Sequence, residues 1–456
     1  LITVEYKVYA YDLSVRGSYL DQTRAYVNPT TVCLALEGQE QSPHELDLFL
    51  PAPLKHFSYA GALPSRSLVK GRFNLKADNY AQLLDSPFEL AEQDRFSFEA
   101  EGITHDFVLS GLHRANLERL KQDLEKICST QIQMFGSAPF QHYTFLTMAT
   151  GSLYGGLEHC NSTSLICPRT DLPKIDEPEQ PSKDYQRYLG LCSHEYFHAW
   201  LVKFIRPENY VNPDLNQEGY TSLLWIFEGF TSYYDDLILV RSGVISQQDY
   251  LALLTDQINR YLQNPGRHIQ TVAESSFDAW IKFYRQDENS NNAGTSYYNK
   301  GALVALCLDL GLRTYGSSLD ALMRRLYENA QQGIQVNDRT ILQLANELTE
   351  QDWAERLFHL VNTTDDLPLE EVLGLFGVKY LLQKEKNLPF GTKTQEKPEG
   401  LLVQQVLRDS EAAKAGLSAH DVVIAIDGIK ATDKVWQAKA KEQGVMRCHA
   451  FRRDEL

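Results

Sequence analysis

Apolar and polar residues alternate from Ile2 to Ala10, through Val4, Tyr6 and Val8. A period of two is that of a strand with one buried face. Similar short runs recur at Thr31–Leu36, Arg95–Phe98 and His105–Leu109, with Pro and Gly between them, so residues 1–108 read as mostly β. The period then changes. Leu117, Leu120, Leu124 and Ile127 return at three- and four-residue intervals, the apolar stripe of an amphipathic helix. Tyr143–Met148 reads as a strand, and the proline-rich, charged stretch 168–183 as a surface loop. The pattern predicts a helix from about Ser182 to Phe204, stopped by Pro207, and a second from about Ser222 to Arg241, ended by Gly243. Helices continue over Gly301–Thr314 and Leu319–Asn329. Short strands come back at Leu401–Leu407, Val422–Ile426 and Met446–Phe451. The chain is therefore expected to be α+β and multidomain, with an N-terminal β domain (1–108), a mixed domain (109–243), a helical domain (244–365) and a small mixed module (366–456).

Composition narrows the function. The 456 residues are 43% hydrophobic and 23% charged, an ordinary globular balance. The net charge of −16 argues against nucleic acid or an anionic membrane as the main partner, because both are bound through basic surface. No apolar run approaches the ~18 residues that span a bilayer, so no integral membrane segment is expected. Seven cysteines form no framework and no CxxC, which points to reduced thiols and a cytoplasmic location rather than a thiolate metal site. The last residues, Arg453-Asp454-Glu455-Leu456, are like a luminal retention signal, but the cysteine usage argues against reading them as one.

The sharpest chemical signal is His194-Glu195-Tyr196-Phe197-His198, an HExxH on a predicted helix. Histidines four apart share one face and can meet one ion, while Glu195 is offset toward a metal-bound water as general base. A chance match on a solvated helix is the bland reading. Leu189, Leu191, Tyr196, Phe197 and Trp200 argue against it, since a buried helix makes unpaired His and Glu costly.

Catalytic zinc needs a third protein ligand and an open position. Glu208, Asp214, Glu218, Glu228, Asp235 and Asp236 lie downstream. Glu228 alone sits inside an apolar helical run, where a carboxylate needs a partner, either zinc or a buried salt bridge. Upstream, Gly155-Gly156-Leu157-Glu158-His159 joins two glycines, which admit close backbone approach, to a carboxylate able to meet an α-ammonium. His159 reads as structural. In Tyr297-Tyr298-Asn299-Lys300-Gly301 a phenol could donate to an oxyanion.

Together GGLEH, HEYFHAW, EGFTSYY and YYNKG resemble, in order and spacing, the glycyl aminopeptidase family of gluzincin zinc metallopeptidases, relatives of aminopeptidase N. The resemblance extends to SVRGSYLDQTR near the start and to GLLVQQV, EAAKAGL and VVIAIDG near the end, a segment similar to a PDZ domain. It implies a thermolysin-like catalytic domain over 109–243 and a PDZ-like domain over 366–456. It implies one zinc per chain on His194, His198 and Glu228, with Glu195 as general base and Tyr298 as oxyanion donor. Glu158, beside Gly155 and Gly156, would hold the substrate's free amino terminus. Implied partners are peptides with a free amino terminus, and extended or C-terminal peptides at the PDZ-like module. The short span from Gly428 to Phe451 departs from the PDZ pattern. A zinc endopeptidase and a catalytically silent peptide-binding protein are the alternatives.

Overall fold

The computed structural model describes residues 2–382, 388–442 and 445–456; the expected PDZ-like stretch therefore lies partly outside the described residues. The chain divides into two compact units. The first comprises Leu1–Glu208, Thr231–Leu253 and Asp320–Val336; the second comprises Asn209–Phe230, Leu254–Leu319 and Asn337–Leu456.

In the first unit the N-terminal residues build two small antiparallel sheets. One orders Tyr19–Leu20, Arg24–Val27, Phe88–Ala91 and Ser58–Gly61; the other orders His44–Phe49, Arg72–Ala77 and Ser65–Val69. Phe57, Leu63, Leu75, Phe88 and Leu90 form their shared core. Two expected strands are absent. Ile2–Ala10 is not in a sheet, and its alternating residues are exposed, Ile2 by 85%. Alternation stabilises a strand only when a neighbour covers one face. Here an Ala10 carbonyl accepting from Leu20 and the isolated Tyr11–Tyr19 bridge are the backbone pairings among the described residues. At Thr31–Leu36, Pro29 starts a short 3-10 turn capped by the Asn28 side chain on Thr30 N–H, so the chain bends rather than extends.

The sheet that carries the chemistry has five strands in the order Gly155–Glu158, Ser162–Pro168, His142–Thr150, Ile103–Ser110, Asp94–Ala100. His142–Thr150 runs parallel to both of its neighbours. Parallel neighbours need a crossover, and the helix Leu117–Phe135 supplies the one between Ile103–Ser110 and His142–Thr150. It starts at Asn116, whose side chain accepts from Arg119 N–H, and stops at Gly136 in the left-handed region. The central strands His142–Thr150 and Ser162–Pro168 are buried on both faces, as parallel strands between covering layers are, with serines and threonines among their apolar residues. Gly155–Glu158 closes one edge, antiparallel to Ser162–Pro168.

The second unit is mainly helical. Leu224–Phe227, Val272–Phe277, Asn299–Arg313, Ala354–Asn362 and Leu369–Gly374 pack on one another. Where Leu224–Phe227 meets Asn299–Arg313 the backbones touch. A Cβ on Gly229 would lie 2.6 Å from the Gly301 backbone, and one on Gly301 2.9 Å from the Gly229 Cα. Thr392–Lys397, Gly400–Val406, Val422–Ile426, Ile429–Lys430 and Cys448–Phe451 form a separate sheet around Leu401, Val403, Val423, Ile426 and Trp436. Asn291 and Asn292 tie it to the helices through Gln405, the Val406 carbonyl and Arg408 N–H. Among the described residues no helix is long and apolar enough to cross a membrane.

One buried charge in this unit works against stability. Lys300 is 1% exposed, and among the described residues its ammonium donates a long 3.4 Å contact to the Thr363 carbonyl. Burial pushes its ammonium down to about 8, against the weaker pull of Asp366. The folded chain thus binds fewer protons than the unfolded chain between about pH 8 and the ordinary lysine range, so this penalty is full below pH 8 and relieved above it. Lys300→Met should raise stability at pH 7 by up to about 3 kcal/mol, a gain that shrinks as pH approaches 10. Denaturant unfolding of both proteins at the two pH values checks this.

Candidate metal centre and active site

The helix Lys183–Phe197 carries the HExxH, and its start is written locally. Ser182 caps it by accepting from Tyr185 N–H, and Asp184 lies in the positive first turn. It ends nearly two turns earlier than the apolar pattern suggests, at Phe197, with His198 as its still helical C-cap. Its rotation is fixed from two sides. Gln131 of the crossover helix donates to the Ser193 carbonyl at 2.9 Å, and Tyr196 hydrogen-bonds His105 of the sheet at 2.9 Å. Burial pushes that histidine's pKa down to about 4, so the ring stays neutral there at physiological pH. Trp200 stacks on Phe135 with centroids 4.8 Å apart.

Both histidines present the same ring nitrogen to one spot. The His194 Nδ1 faces Asp235 at 3.1 Å, and the His198 Nδ1 faces the Leu201 carbonyl at 2.9 Å. Both partners accept, which places the imidazole protons on Nδ1 and the lone pairs on Nε2. The two Nε2 atoms then face each other at 3.1 Å. Lone pairs so arranged repel unless a cation lies between them. Zinc–nitrogen bonds of about 2.0–2.1 Å at a tetrahedral angle would place two such atoms roughly 3.3 Å apart. Two neutral imidazoles and a carboxylate could hold a zinc ion.

Glu228 does not sit inside a continuous helix. Leu224–Phe227 ends on it, and Gly229–Arg241 begins after it. The break lets Gly229 press on Gly301, and it brings Glu228 beside the start of Asn299–Arg313, where Tyr298 lies. Burial first, then the charge of Glu228, hold the Tyr298 phenol well above its usual range. It therefore keeps its proton and remains a donor.

Glu158 stands at the end of the edge strand. Its carboxylate, that of Glu195 and a ring nitrogen of His198 lie within 4.8 Å of one another. Gly156 makes this possible, because a Cβ there would lie 2.1 Å from Glu195 Oε1. Gly155 would meet only ordinary contact, 3.9 Å from Ile166. Of the other downstream carboxylates, Asp235 faces His194 rather than completing this set. Asp214 turns back on Asn216 and Gln217 in its own loop. Three groups escaped the sequence reading: the Asp235 contact, the His105–Tyr196 bond, and Asp85, which binds His159 at 3.1 Å. Each depends on partners at least 41 residues apart. All seven cysteines are free thiols.

Comparison with known proteins bears on this arrangement. A family described as M61 glycyl aminopeptidase matches residues 187–304, and the peptidase M61 N-terminal domain matches residues 1–92. The crystal structure of an aminopeptidase N family protein from Idiomarina loihiensis superposes with a TM-score of 0.94 at 41% identity, covering 98% of this chain and 80% of that one. An M1 zinc metallopeptidase from Deinococcus radiodurans shares the fold, with a TM-score of 0.52 at 14% identity over 80% of this chain and 75% of that one. No curated protein matches.

Proposed function

The chain belongs to the M61 glycyl aminopeptidase family and is a metallopeptidase of the aminopeptidase class, and from that premise we propose that it removes small residues, Gly or Ala, from the free amino terminus of peptides. In this proposal His194, His198 and Glu228 hold one zinc ion, Glu195 is the general base, Tyr298 the oxyanion donor and Glu158 the anchor for the substrate's ammonium. The observation that carries it is the approach of Glu158 to Glu195 and His198 within 4.8 Å. A carboxylate that close to the base ties the free amino group beside the bond to be cut.

Bound zinc supplies Lewis acidity, acidifying a water and polarising the scissile carbonyl. The chain's own groups do the rest. Asp235 and the Leu201 carbonyl keep both imidazoles in the tautomer that presents Nε2. Glu195 takes the proton of the attacking water and returns it to the leaving amine. Tyr298 donates to the carbonyl oxygen as it gains charge. Glu158 pairs with the ammonium in a partly dry site, which restricts cutting to the first peptide bond. The C-terminal sheet, in the same proposal, is PDZ-like and receives extended peptide by strand addition.

The test is hydrolysis of Ala- and Gly-anilides with and without an acetylated amino terminus. Wild-type enzyme should strongly prefer the free amine. Glu158→Ala should retain zinc yet lose roughly thirtyfold to several-thousandfold in kcat/KM on free-amine substrates, from about 2–5 kcal/mol of lost pairing. If wild-type enzyme cuts internal bonds of blocked peptides as fast as it releases a terminal Gly or Ala, the endopeptidase reading replaces this one.

A further inference from the structure

Directly after Glu158 the chain is held by a partly buried carboxylate from a distant part of the first unit. Asp85 follows the short helix Tyr80–Leu84. Its Oδ1 accepts from Lys203 Nζ at 2.6 Å and from His159 Nδ1 at 3.1 Å, and its Oδ2 accepts the backbone N–H of Cys160 at 2.9 Å. Two of those three donors are the residues that follow Glu158. His159 is 4% exposed, and its backbone N–H donates to the Ser162 carbonyl at the turn of the hairpin. Lys203 comes five residues after His198, and its backbone N–H donates to the His198 carbonyl at 3.1 Å.

We propose that Asp85, Lys203 and His159 form a positioning device for Glu158, fixing the end of a four-residue edge strand so that its carboxylate meets the substrate's ammonium. The inference rests on the reading of Glu158 as amine anchor. A strand of four residues paired on one side only is weakly held by its own ladder. Asp85 supplies the missing tether, 74 and 75 residues away in sequence. Its charge is kept. Burial pushes the Asp85 carboxyl up, but the Lys203 ammonium, His159 and the Cys160 N–H together outweigh that and hold it far below the usual carboxylate range. Burial likewise pulls Lys203 down, and Asp85, with smaller contributions from Cys160 and Glu158, brings it above its ordinary value. The cation is thus balanced by Asp85 while lying within electrostatic reach of Glu158. None of the three positioning residues needs to touch the reacting atoms.

The experiment compares Lys203→Met, His159→Phe, His159→Asn and Glu158→Gln in the full chain. Zinc content, thermal stability, kcat and KM are measured on Ala-anilide and its acetylated form. Lys203→Met and His159→Phe should keep zinc, raise KM for the free amine about tenfold or more, change kcat less, and reduce the preference for free over acetylated substrate. His159→Asn, whose amide can still donate to Asp85, should restore KM and preference. Folded, zinc-loaded Lys203→Met and His159→Phe with wild-type KM and preference would overturn the device. So would losses of stability and kcat that leave the preference intact, or failure of both variants to fold while His159→Asn shows wild-type stability with a lost preference. Glu158→Gln separates the two readings: if it leaves the preference intact, Glu158 is not the anchor; if it abolishes the preference while the other variants do not, only the device falls.

Discussion

Glu195→Gln should keep the metal and lower kcat by about 10²–10⁴-fold, the usual weight of a positioned general base. The amide has nearly the shape of the carboxylate but cannot accept the proton of the attacking water. The helix around it has no reason to change, because its rotation is set by Gln131 on Ser193 and by His105 on Tyr196, not by Glu195. Metal analysis of the dialysed variant beside kcat on Ala-anilide checks both halves. Full activity in a zinc-loaded Glu195→Gln protein would assign the proton to another group, for which Glu158, its carboxylate within 4.8 Å of that of Glu195, is a candidate.

Glu228→Ala should strip the site. Two imidazoles would remain, and a two-ligand site loses far more affinity than the about 10–100-fold typical of losing an outer partner such as Asp235. Activity should vanish after dialysis and return only in part at high added zinc, with a shifted kcat as well, since Glu228 also lies beside the Tyr298 phenol. Retention of full zinc and full activity would move the third ligand elsewhere.

The parts of the site that were legible in the sequence are those written locally. Histidines four apart on a capped helix meet because of helix geometry alone, and two adjacent glycines before Glu158 announce a close approach whatever the neighbours. Ser182, Asn116 and Gly136 mark helix ends by their own chemistry. What stayed hidden is non-local. Asp85 sits after a short surface helix with nothing around it to mark a partner 118 residues away in Lys203. The alternation of Ile2–Ala10 promised a strand, but a periodic pattern does not say whether another strand lies alongside. The run from Ser222 to Arg241 looked like one helix because its apolar residues continue through Glu228. The break there comes from tertiary contact at Gly229, which periodicity cannot register.

That contact has a bearing on how the enzyme can vary. The spacing between Glu228 and Tyr298 is gauged by main chain resting on main chain at Gly229 and Gly301, with no side chain interposed. Spacers made of side chains drift when their neighbours are exchanged; a backbone stop does not. Trp225 and Phe230 around it can therefore be reshaped, by selection or by an engineer tuning which peptides fit, while the distance between the carboxylate and the phenol holds. The chemistry is insulated from its own packing, and the freedom to diversify lies in every neighbour except the two residues that have no side chain to change.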